Sequence, residues 1–289
     1  MSPPARIRLL LADVDGTLVT PDKSLTTRTV EAVDRLHDAG VAFALTSGRP
    51  PRGMAMLVEP LSLDAPIAAF NGGEIVSPDM TVIQQRTIPP DLVGPVVDML
   101  SASGLDVWVY RGTDWLVRDP RGPHVDQEAR TVRFAPTVVD GYDGIRDDVA
   151  KIVGVSDDHD LVESVGGDAQ ERFGDEVSAA RSQPYYLDIT HPQANKGHVV
   201  TFLSAWFGIP PPEIATIGDM PNDVLMFAHS GLSIAMGQSG REVHRAARRI
   251  TKSNEEEGFA IAVERFVLGD AAAGDERSPE RRRSATRKT

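Results

Sequence analysis

Residues 7–17 read IRLLLADVDGT, an apolar run that ends in two aspartates, a glycine and a threonine. Such a run is typical of a strand buried on both faces. Asp13 and Asp15 stand where this strand leaves the core, and two carboxylates this close repel each other. The pair persists when a cation or a shared catalytic proton compensates for the repulsion. An Asp-rich turn is the ordinary alternative, so the weight of the motif depends on the rest of the chain.

The length and composition predict a soluble globular protein. A chain of 289 residues suggests about two domains, and 41% hydrophobic residues supply enough material for a core. There is no cysteine, which excludes disulfides and thiolate metal sites. We expect a cytoplasmic protein without a membrane partner, since no apolar stretch reaches membrane-span length and no signal-type segment is present.

The charge distribution argues against a nucleic-acid surface on the folded body. The formal net charge is −12, and Asp270–Thr289 contain six basic and four acidic side chains, so the remainder is still more acidic. The basic run Arg281–Arg283 is a candidate for binding a polyanion, although a short run of this kind is usually solvated. Asp270–Thr289 lack apolar periodicity, and we expect them to be disordered.

Three further apolar runs lead into polar turns. Val41–Leu45 precede TSGRP, Ile67–Phe70 precede NGG, and Ile214–Ile217 precede GDMPND. Amphipathic helices such as Leu25–Ala39 alternate with these strands, which indicates a parallel sheet covered on both faces. Right-handed crossovers bring the carboxyl ends of such strands to one edge, where ligands of open α/β sheets bind.

The pattern changes in the middle of the chain. Short alternating strands and two helix candidates, Asp91–Ser101 and His159–Phe173, replace the buried runs, which favours a separate α+β module. The strand Tyr185–Thr190 marks the expected return to the first pattern. We therefore predict an α/β fold with a Rossmann-like parallel-sheet core and an inserted domain: core 1–84, insertion 85–184, core 185–269 and a tail 270–289.

The predicted strand ends carry a set of groups suited to phosphate chemistry. Four aspartates (Asp13, Asp15, Asp219 and Asp223) directed at one edge would repel strongly without a cation, and all-oxygen ligands suit Mg²⁺ better than zinc. The hydroxyl of Ser47 and the ammonium of Lys196 suit a phosphoryl group. Each motif alone is weak, but the ordered set, with each member after an apolar strand, is strong.

At these residues the chain resembles the haloacid dehalogenase superfamily, and specifically its Cof-type phosphatases of subfamily IIB. The similarity runs through DVDGTLV, TSGRP, FNGG, ANKG, IGDMPND, SIAMG and TKSNEEEGFA. The insertion lies where that family carries its α/β cap, which implies a cap of the C2B type, although no cap residue can be matched individually. Gln238 in MGQS departs from the frequent pattern, so no role is transferred to it.

The resemblance implies a Mg²⁺-dependent hydrolase of small-metabolite phosphomonoesters, such as phosphosugars or cofactor phosphates. It implies that Asp13 forms an aspartyl-phosphate, that Asp15 acts as acid and then base, and that Ser47 and Lys196 complete the catalytic set. The implied metal ligands are Asp13, the Asp15 carbonyl and Asp219, with Asp223 supporting the metal or orienting Lys196.

Five residues are candidates for substrate binding, and three of them have an ordinary alternative: Gly48, Arg49, Asn71, Gly72 and Asn222. Arg49 contacts phosphate or forms an ion pair, Asn71 contacts phosphate or shapes a turn, and Asn222 binds substrate or caps a helix. Alternating aromatic residues at Trp108, Tyr110 and Trp115 favour the cap's own core over a wall for the substrate.

Other functions remain compatible with parts of the sequence. A phosphomutase-type transfer on the same fold is the nearest alternative, since it uses the same aspartyl-phosphate. A binding protein on an inactive scaffold would show damaged motifs, whereas these are intact. The sequence leaves the natural substrate and the oligomeric state open, and nothing in it indicates a homo-oligomer.

Overall fold

The computed structural model describes residues 6–269. The predicted disorder of Asp270–Thr289 and the hypothesis about Arg281–Arg283 lie outside the described residues. Within them the chain forms fourteen strands and eight α-helices. The strands are β1 Leu9–Asp13, β2 Ala42–Thr46, β3 Ile67–Ala69, β4 Glu74–Val76, β5 Val82–Gln85, β6 Asp106–Arg111, β7 Asp114–Val117, β8 Thr137–Val138, β9 Val149–Val155, β10 Ser178–Gln183, β11 Tyr186–Thr190, β12 Ile214–Gly218, β13 Leu232–Ala235 and β14 Arg249–Ile250. The helices are α1 Thr27–Asp38, α2 Pro90–Ala102, α3 Val125–Val132, α4 His159–Phe173, α5 Lys196–Phe207, α6 Val224–Ala228, α7 Arg241–Ala246 and α8 Gly258–Ala262.

The first sheet has the strand order β14-β13-β12-β1-β2-β3-β4-β5, and we call it with its helices the core. The pairs from β14 to β3 are parallel, as the buried apolar runs predict. Side chains of α1 and α8 pack on one face, and those of α5 and α6 on the other. The parallel, doubly covered core is thereby confirmed, and the hairpin β4–β5 extends it with antiparallel pairs that the sequence did not predict.

The second sheet has the order β10-β11-β9-β6-β7-β8, and we call it with α2, α3 and α4 the cap. Its pairs are antiparallel except β7–β8, which is parallel. One face packs against α2 and α4. The other face carries Trp108, Tyr110 and Trp115, which are buried in a cluster that also includes Phe70 of the core. The aromatic residues are therefore buried as expected, but in a layer that joins cap to core, and Trp108 and Tyr110 also line a cavity between the two.

One predicted strand belongs to the other sheet. Sequence analysis assigned Tyr185–Thr190 to the core, but β11 pairs antiparallel with β9 and β10 in the cap. The prediction was wrong for this strand. All five residues of β11 are buried, so its sequence does not differ from that of a parallel core strand. The chain returns to the core only with α5.

Local capping explains where the helices of the site begin. The Thr26 side chain accepts a hydrogen bond from the Thr29 N–H at the start of α1. Asn195 accepts one from the His198 N–H, so α5 begins at Lys196. The first turn of a helix leaves backbone N–H groups without partners, and these side chains satisfy them. The N-cap residue Asn195 thus fixes the position of the lysine in the ANKG motif.

Candidate active site

The motif-bearing turns meet at one edge of the core sheet. Asp13 ends β1 and is paired in register with Thr46 at the end of β2. The next two turns are tied together, because the Ser47 N–H donates to the Ala68 carbonyl and the Asn71 N–H donates to the Ser47 carbonyl. The turn after β12 completes the group with Asp219 and Asp223. Parallel pairing therefore brings residues from four distant segments to one place.

Three carboxylates form the centre of this site. Asp13, Asp219 and Asp223 each place one oxygen within 4.8 Å of the others, an arrangement that could hold a metal ion. Asp13 is 5% exposed and Asp223 is fully buried. The donors are all carboxylate oxygens, which suit Mg²⁺ or another hard cation. The Asp15 side chain is not part of this cluster.

Lys196 supplies the buried positive charge of the site. Its Nζ lies 2.6 Å from Asp13 Oδ1 and 2.6 Å from Asp223 Oδ1. Burial would lower the pKa of this lysine, but the two carboxylates raise it above its ordinary value, so the ammonium stays charged. The other Asp223 oxygen accepts from the Asp219 and Met220 N–H groups at 2.9 Å each. Asp223 therefore orients Lys196 and closes the turn after β12.

The single lysine does not balance the three carboxylates. Burial, together with the charges of Asp223 and Asp219, raises the pKa of Asp13 well above its ordinary value, although Lys196 opposes this effect. Burial and the Asp223 charge raise the pKa of Asp219 to about 7, with Lys196 and a hydrogen bond from Thr17 acting in the opposite direction. A divalent cation would relieve the excess negative charge, so the residues present fit one.

Two glycines make room for the carboxylates. A Cβ atom on Gly16, whose φ is +81°, would lie 2.3 Å from Asp219 Oδ2. A Cβ atom on Gly218 would lie 2.3 Å from the Asp223 carboxyl carbon. Both contacts are shorter than van der Waals packing allows, so these glycines are required by the close approach of the acidic turns. The Gly16 carbonyl also accepts a hydrogen bond from Gln238 Nε2 at 2.6 Å, which gives Gln238 a role in holding the turn.

Asp15 points away from the carboxylate cluster and towards two cations. Arg49 binds it through both oxygens at 2.7 and 2.8 Å, and Lys23 Nζ lies 2.7 Å from Oδ1. Burial would raise the pKa of Asp15, but the hydrogen bonds and charges of Arg49 and Lys23 lower it to about 2. Asp15 is therefore ionised in this structure. Of the two alternatives for Arg49, the structure shows the ion pair.

The other predicted site residues, except Gly72, lie around two cavities. Ser47, Gly48 and Arg49 line the cavity above Asp13, Asn71 lines an adjoining cavity of about 250 Å³, and Asn222 lines both. Asn222 Nδ2 donates to Asn71 Oδ1 at 3.3 Å, which connects the two turns. Gly72 lines neither cavity. Its φ is +99° and a Cβ atom would lie 2.6 Å from Val199 Cγ2, so its packing against α5 explains the glycine.

The cavity above Asp13 has a volume of about 120 Å³ and lies between core and cap. Its cap side includes Tyr110, Glu128, Lys151 and Tyr186, and Lys23 joins it from the core. Sequence analysis assigned no site role to Glu128, Lys151, Tyr186 or Lys23, and for Tyr110 it favoured the cap's own core over a wall for the substrate. Lys151 could have been recognised from the sequence, because it interrupts the otherwise apolar strand β9. The structure shows that this lysine is only 5% exposed.

Comparison with known proteins identifies the family. Residues 10–263 match the family model of haloacid dehalogenase-like hydrolases, and the chain belongs to that family. It is an enzyme of the phosphatase class, and the resemblance to the haloacid dehalogenase superfamily is confirmed. Within residues 6–269, none of the helices combines the length and apolar character that a membrane crossing requires.

Three similar proteins illustrate the relationship. A 5-amino-6-(5-phospho-D-ribitylamino)uracil phosphatase of Bacillus subtilis is 26% identical over 263 residues, which cover 89% of this chain and 97% of that protein. A haloacid dehalogenase-like hydrolase of Bacteroides thetaiotaomicron has a TM-score of 0.81 and 28% identity, covering 90% of this chain and 99% of the other. A sugar phosphatase of subclass IIB shares the fold, with a TM-score of 0.78, 22% identity and coverage of 90% and 98%.

Proposed function

We propose that this protein hydrolyses phosphomonoesters of small metabolites, with Asp13 as nucleophile and Mg²⁺ bound at the acidic cluster. The observation that carries the proposal is that Asp13 and Lys196 line a cavity covered by the cap, and that Asp219 lies beside Asp13 in the acidic cluster. A buried carboxylate beside a fixed ammonium suits attack on a phosphoryl group whose charge must be balanced.

The metal would be held by Asp13, the Asp15 carbonyl and Asp219, while Asp223 supports it indirectly by orienting Lys196. When bound, Mg²⁺ would supply positive charge between the nucleophile and the phosphate oxygens. The raised pKa values of Asp13 and Asp219 favour this assignment, because a nearby cation would return both groups to the ionised state.

Residues of the chain itself carry out both steps, the formation and the hydrolysis of the aspartyl-phosphate. An Asp13 oxygen forms a bond to phosphorus while the bond from phosphorus to the ester oxygen breaks. Lys196 keeps Asp13 oriented and offsets charge on the phosphoryl oxygens, and Ser47 donates to another of these oxygens. Water then attacks the aspartyl-phosphate, which releases inorganic phosphate and restores Asp13.

Asp15 would give a proton to the leaving oxygen and later take one from the attacking water. Arg49 and Lys23 hold it ionised before substrate arrives. A phosphate dianion competes for both cations, so substrate binding weakens their hold and raises the pKa of Asp15 towards the value that an acid needs. Arg49 in this scheme contacts Asp15 first and the phosphate second.

The covered cavity favours small metabolites over phosphoproteins, because a large substrate cannot enter between cap and core. The similar proteins include a phosphatase for a ribitylamino-uracil phosphate and a sugar phosphatase. The fold therefore does not determine which leaving group is accepted. We also propose the cytoplasm as the location, where such metabolites are found.

The proposal is tested by measuring phosphate release from a panel of metabolite phosphates with Mg²⁺, for the wild type and for Asp13→Asn. We expect the variant to lose at least about 10³-fold in kcat, since the nucleophile is gone. Its melting temperature should stay close to that of the wild type, because Asn has the same shape and removes a buried charge.

A chelator control and product analysis complete the test. EDTA should abolish turnover and added Mg²⁺ should restore it. Retention of most activity by Asp13→Asn would contradict the covalent mechanism. Isomerised phosphate ester without released phosphate would favour phosphomutase-type transfer instead.

A further inference from the structure

Gln238 contacts the acidic turn after β1 from outside the cavity above Asp13. Its Nε2 donates to the Gly16 carbonyl at 2.6 Å, and its Oε1 accepts from the Asn254 N–H at 3.3 Å. Gln238 and Asn254 are not among the residues that line the cavity. The Gln238 side chain therefore connects two turns without facing the space that a substrate would occupy.

The backbone that carries Gln238 is held on both sides. Gln238 lies in the turn after β13, where the Met236 N–H donates to the Gly218 carbonyl at 3.0 Å. The Gly237 N–H donates to the Lys252 carbonyl at 2.9 Å. A Cβ atom on Gly237 would lie 2.8 Å from the Lys252 carbonyl carbon, so these two segments approach closely. The side-chain amide of Gln238 thus extends from a turn whose position is fixed.

Gly16 is the least restricted point of the acidic turn. A glycine has no Cβ atom, so its two backbone dihedral angles are weakly limited, and here φ is +81°. The N–H groups of residues 17–19 all donate to the Val14 carbonyl, at 3.0 to 3.4 Å. The Gly16 carbonyl accepts from the Gln238 side chain instead. Gln238 therefore restrains the turn at a carbonyl that those three backbone donors do not use.

Two groups of the proposed metal site lie on either side of Gly16. The Asp15 carbonyl, a proposed ligand, belongs to the peptide plane before Gly16. The plane after Gly16 leads to Thr17, whose hydroxyl donates to Asp219 Oδ1 at 3.1 Å. A rotation at Gly16 would therefore move the Asp15 carbonyl relative to the Asp219 carboxylate. The hydrogen bond from Gln238 opposes that rotation.

Asn254 holds the same turn at a second point. Its Nδ2 donates to the Val19 carbonyl at 2.9 Å, and Val19 forms a β-bridge with Asp15. The Asn254 N–H also donates to the Gln238 side chain. The two side-chain amides therefore bracket residues 16–19, with one at each end.

We infer that Gln238 is a positioning residue for the divalent cation, and that it raises the affinity of the acidic cluster for Mg²⁺ by holding the backbone of residues 15–17 in the geometry that binds it. The inference rests on the proposed function. A site that is ordered in advance binds more tightly, because less backbone freedom is lost when the cation arrives. Asn254 contributes to the same effect through Val19. The family resemblance assigned no role to Gln238, so only the structure reveals this contact.

The test measures the dissociation constant of Mg²⁺ for the metal-free, full-length protein by isothermal titration calorimetry. Gln238→Ala removes the donor to Gly16, and we expect the Kd to rise about 5-fold, the change typical of losing one neutral hydrogen bond. Gln170→Ala is the matched control. Gln170 is also exposed, and its Nε2 donates to the Gly174 carbonyl in the cap at 2.7 Å. The control should leave the Kd for Mg²⁺ unchanged.

Kinetics give a second readout. For Gln238→Ala, the Mg²⁺ concentration that gives half-maximal phosphate release should rise by the same factor as the Kd. The values of kcat and KM at saturating Mg²⁺ should stay close to those of the wild type, because Gln238 does not line the cavity. Asn254→Ala should also raise the Kd, since it releases the other end of the turn.

Two results would contradict the positioning role. An unchanged Kd in Gln238→Ala, with a melting temperature in EDTA below that of Gln170→Ala, would show a contact that is structural only. Equal increases of the Kd in Gln238→Ala and Gln170→Ala would show an effect that does not act through the acidic turn.

The inference and the proposed function fail in different ways. A wild type that releases phosphate with Mg²⁺, together with a Gln238→Ala variant of unchanged Mg²⁺ affinity, would overturn the inference alone. A wild type that binds no Mg²⁺ and releases phosphate from no phosphomonoester would overturn the proposed function, and the inference with it.

Discussion

Lys196 shows how one residue sets the charge balance of the site. It is 2% exposed and contacts two carboxylates that are themselves buried. A buried ion pair gives little net stability, but removal of one partner leaves an uncompensated buried charge. We therefore expect the lysine to stabilise the fold in the absence of metal, in addition to its part in the proposed chemistry.

Lys196→Met should destabilise the metal-free protein by about 3–5 kcal/mol, because Asp13 and Asp223 lose their counter-charge. Urea unfolding in EDTA measures this change. Lys252→Met is the control, since that exposed lysine forms an ion pair with exposed Glu256 at 3.5 Å and should change stability by less than about 0.5 kcal/mol. Equal effects of the two substitutions would contradict the proposed charge balance.

Asp15 makes stability depend on pH in the acid range. Its pKa falls from an ordinary 3.8 to about 2 in the folded state. The unfolded chain therefore takes up a proton at higher pH than the folded protein does. The stabilisation, about 2 kcal/mol, is present above pH ~4 and is lost as the pH falls towards 2.

Arg49→Met should reduce this acid-dependent loss, since it removes the bidentate partner of Asp15. Unfolding free energies measured in EDTA between pH 5 and pH 3 should fall less steeply for the variant than for the wild type. Arg121→Met serves as control because that side chain is 91% exposed. Parallel pH profiles for wild type and Arg49→Met would rule out the ion pair as the cause.

At the scale of elements, local signals predicted some helices but not all of them. The sequence placed α4 at its observed bounds, and Asp158 caps it through a side-chain hydrogen bond. Helix α3 was missed, since it is flanked by His124 and Arg133 in the left-handed conformation and lacks a side-chain cap. It nevertheless carries Glu128, so the unpredicted element contributes a residue to the lining of the cavity above Asp13.

The N-cap residue of α1, Thr26, gives a test at the scale of elements. Thr26 accepts from the Thr29 N–H at 3.1 Å and donates to Glu257 at 2.8 Å, which ties α1 to the turn before α8. Thr26→Ala should lower the free energy of unfolding by about 0.5–2 kcal/mol. Thr26→Ser keeps both hydrogen bonds and should remain close to wild type in urea unfolding; a similar loss in both variants would point to the methyl group instead.

At the scale of the whole molecule, the acidic cluster links metal binding to folding. Asp13, Asp219 and Asp223 come together only in the folded chain, so a cation bound there stabilises the native state alone. Magnesium at 100 times its Kd should add about 2.7 kcal/mol to the free energy of unfolding. The melting temperature should rise accordingly.

Asp219→Asn tests the location of that effect. The substitution replaces a carboxylate whose pKa is raised to about 7, so the metal-free variant should be at least as stable as the wild type at pH 8. Its melting temperature should no longer respond to Mg²⁺ in thermal unfolding followed by circular dichroism. An equal response in both proteins would place the bound cation elsewhere.

The sequence by itself determined the parallel core and the turns that carry Asp13, Ser47, Lys196 and Asp219. Those features depend on short-range patterns, namely buried apolar runs, glycines and capping residues, which can be read within a few positions. The family resemblance rests on the same turns, and the comparisons confirm the family and the fold.

Only the tertiary structure decided which cap residues line the cavity above Asp13 and which residue Arg49 binds. It also decided that β11 belongs to the cap sheet. Lys151 and Gly48 are 103 positions apart in sequence yet share a hydrogen bond. Contacts across such separations depend on how two sheets pack against each other, and no local pattern of hydrophobicity or turn residues encodes that packing.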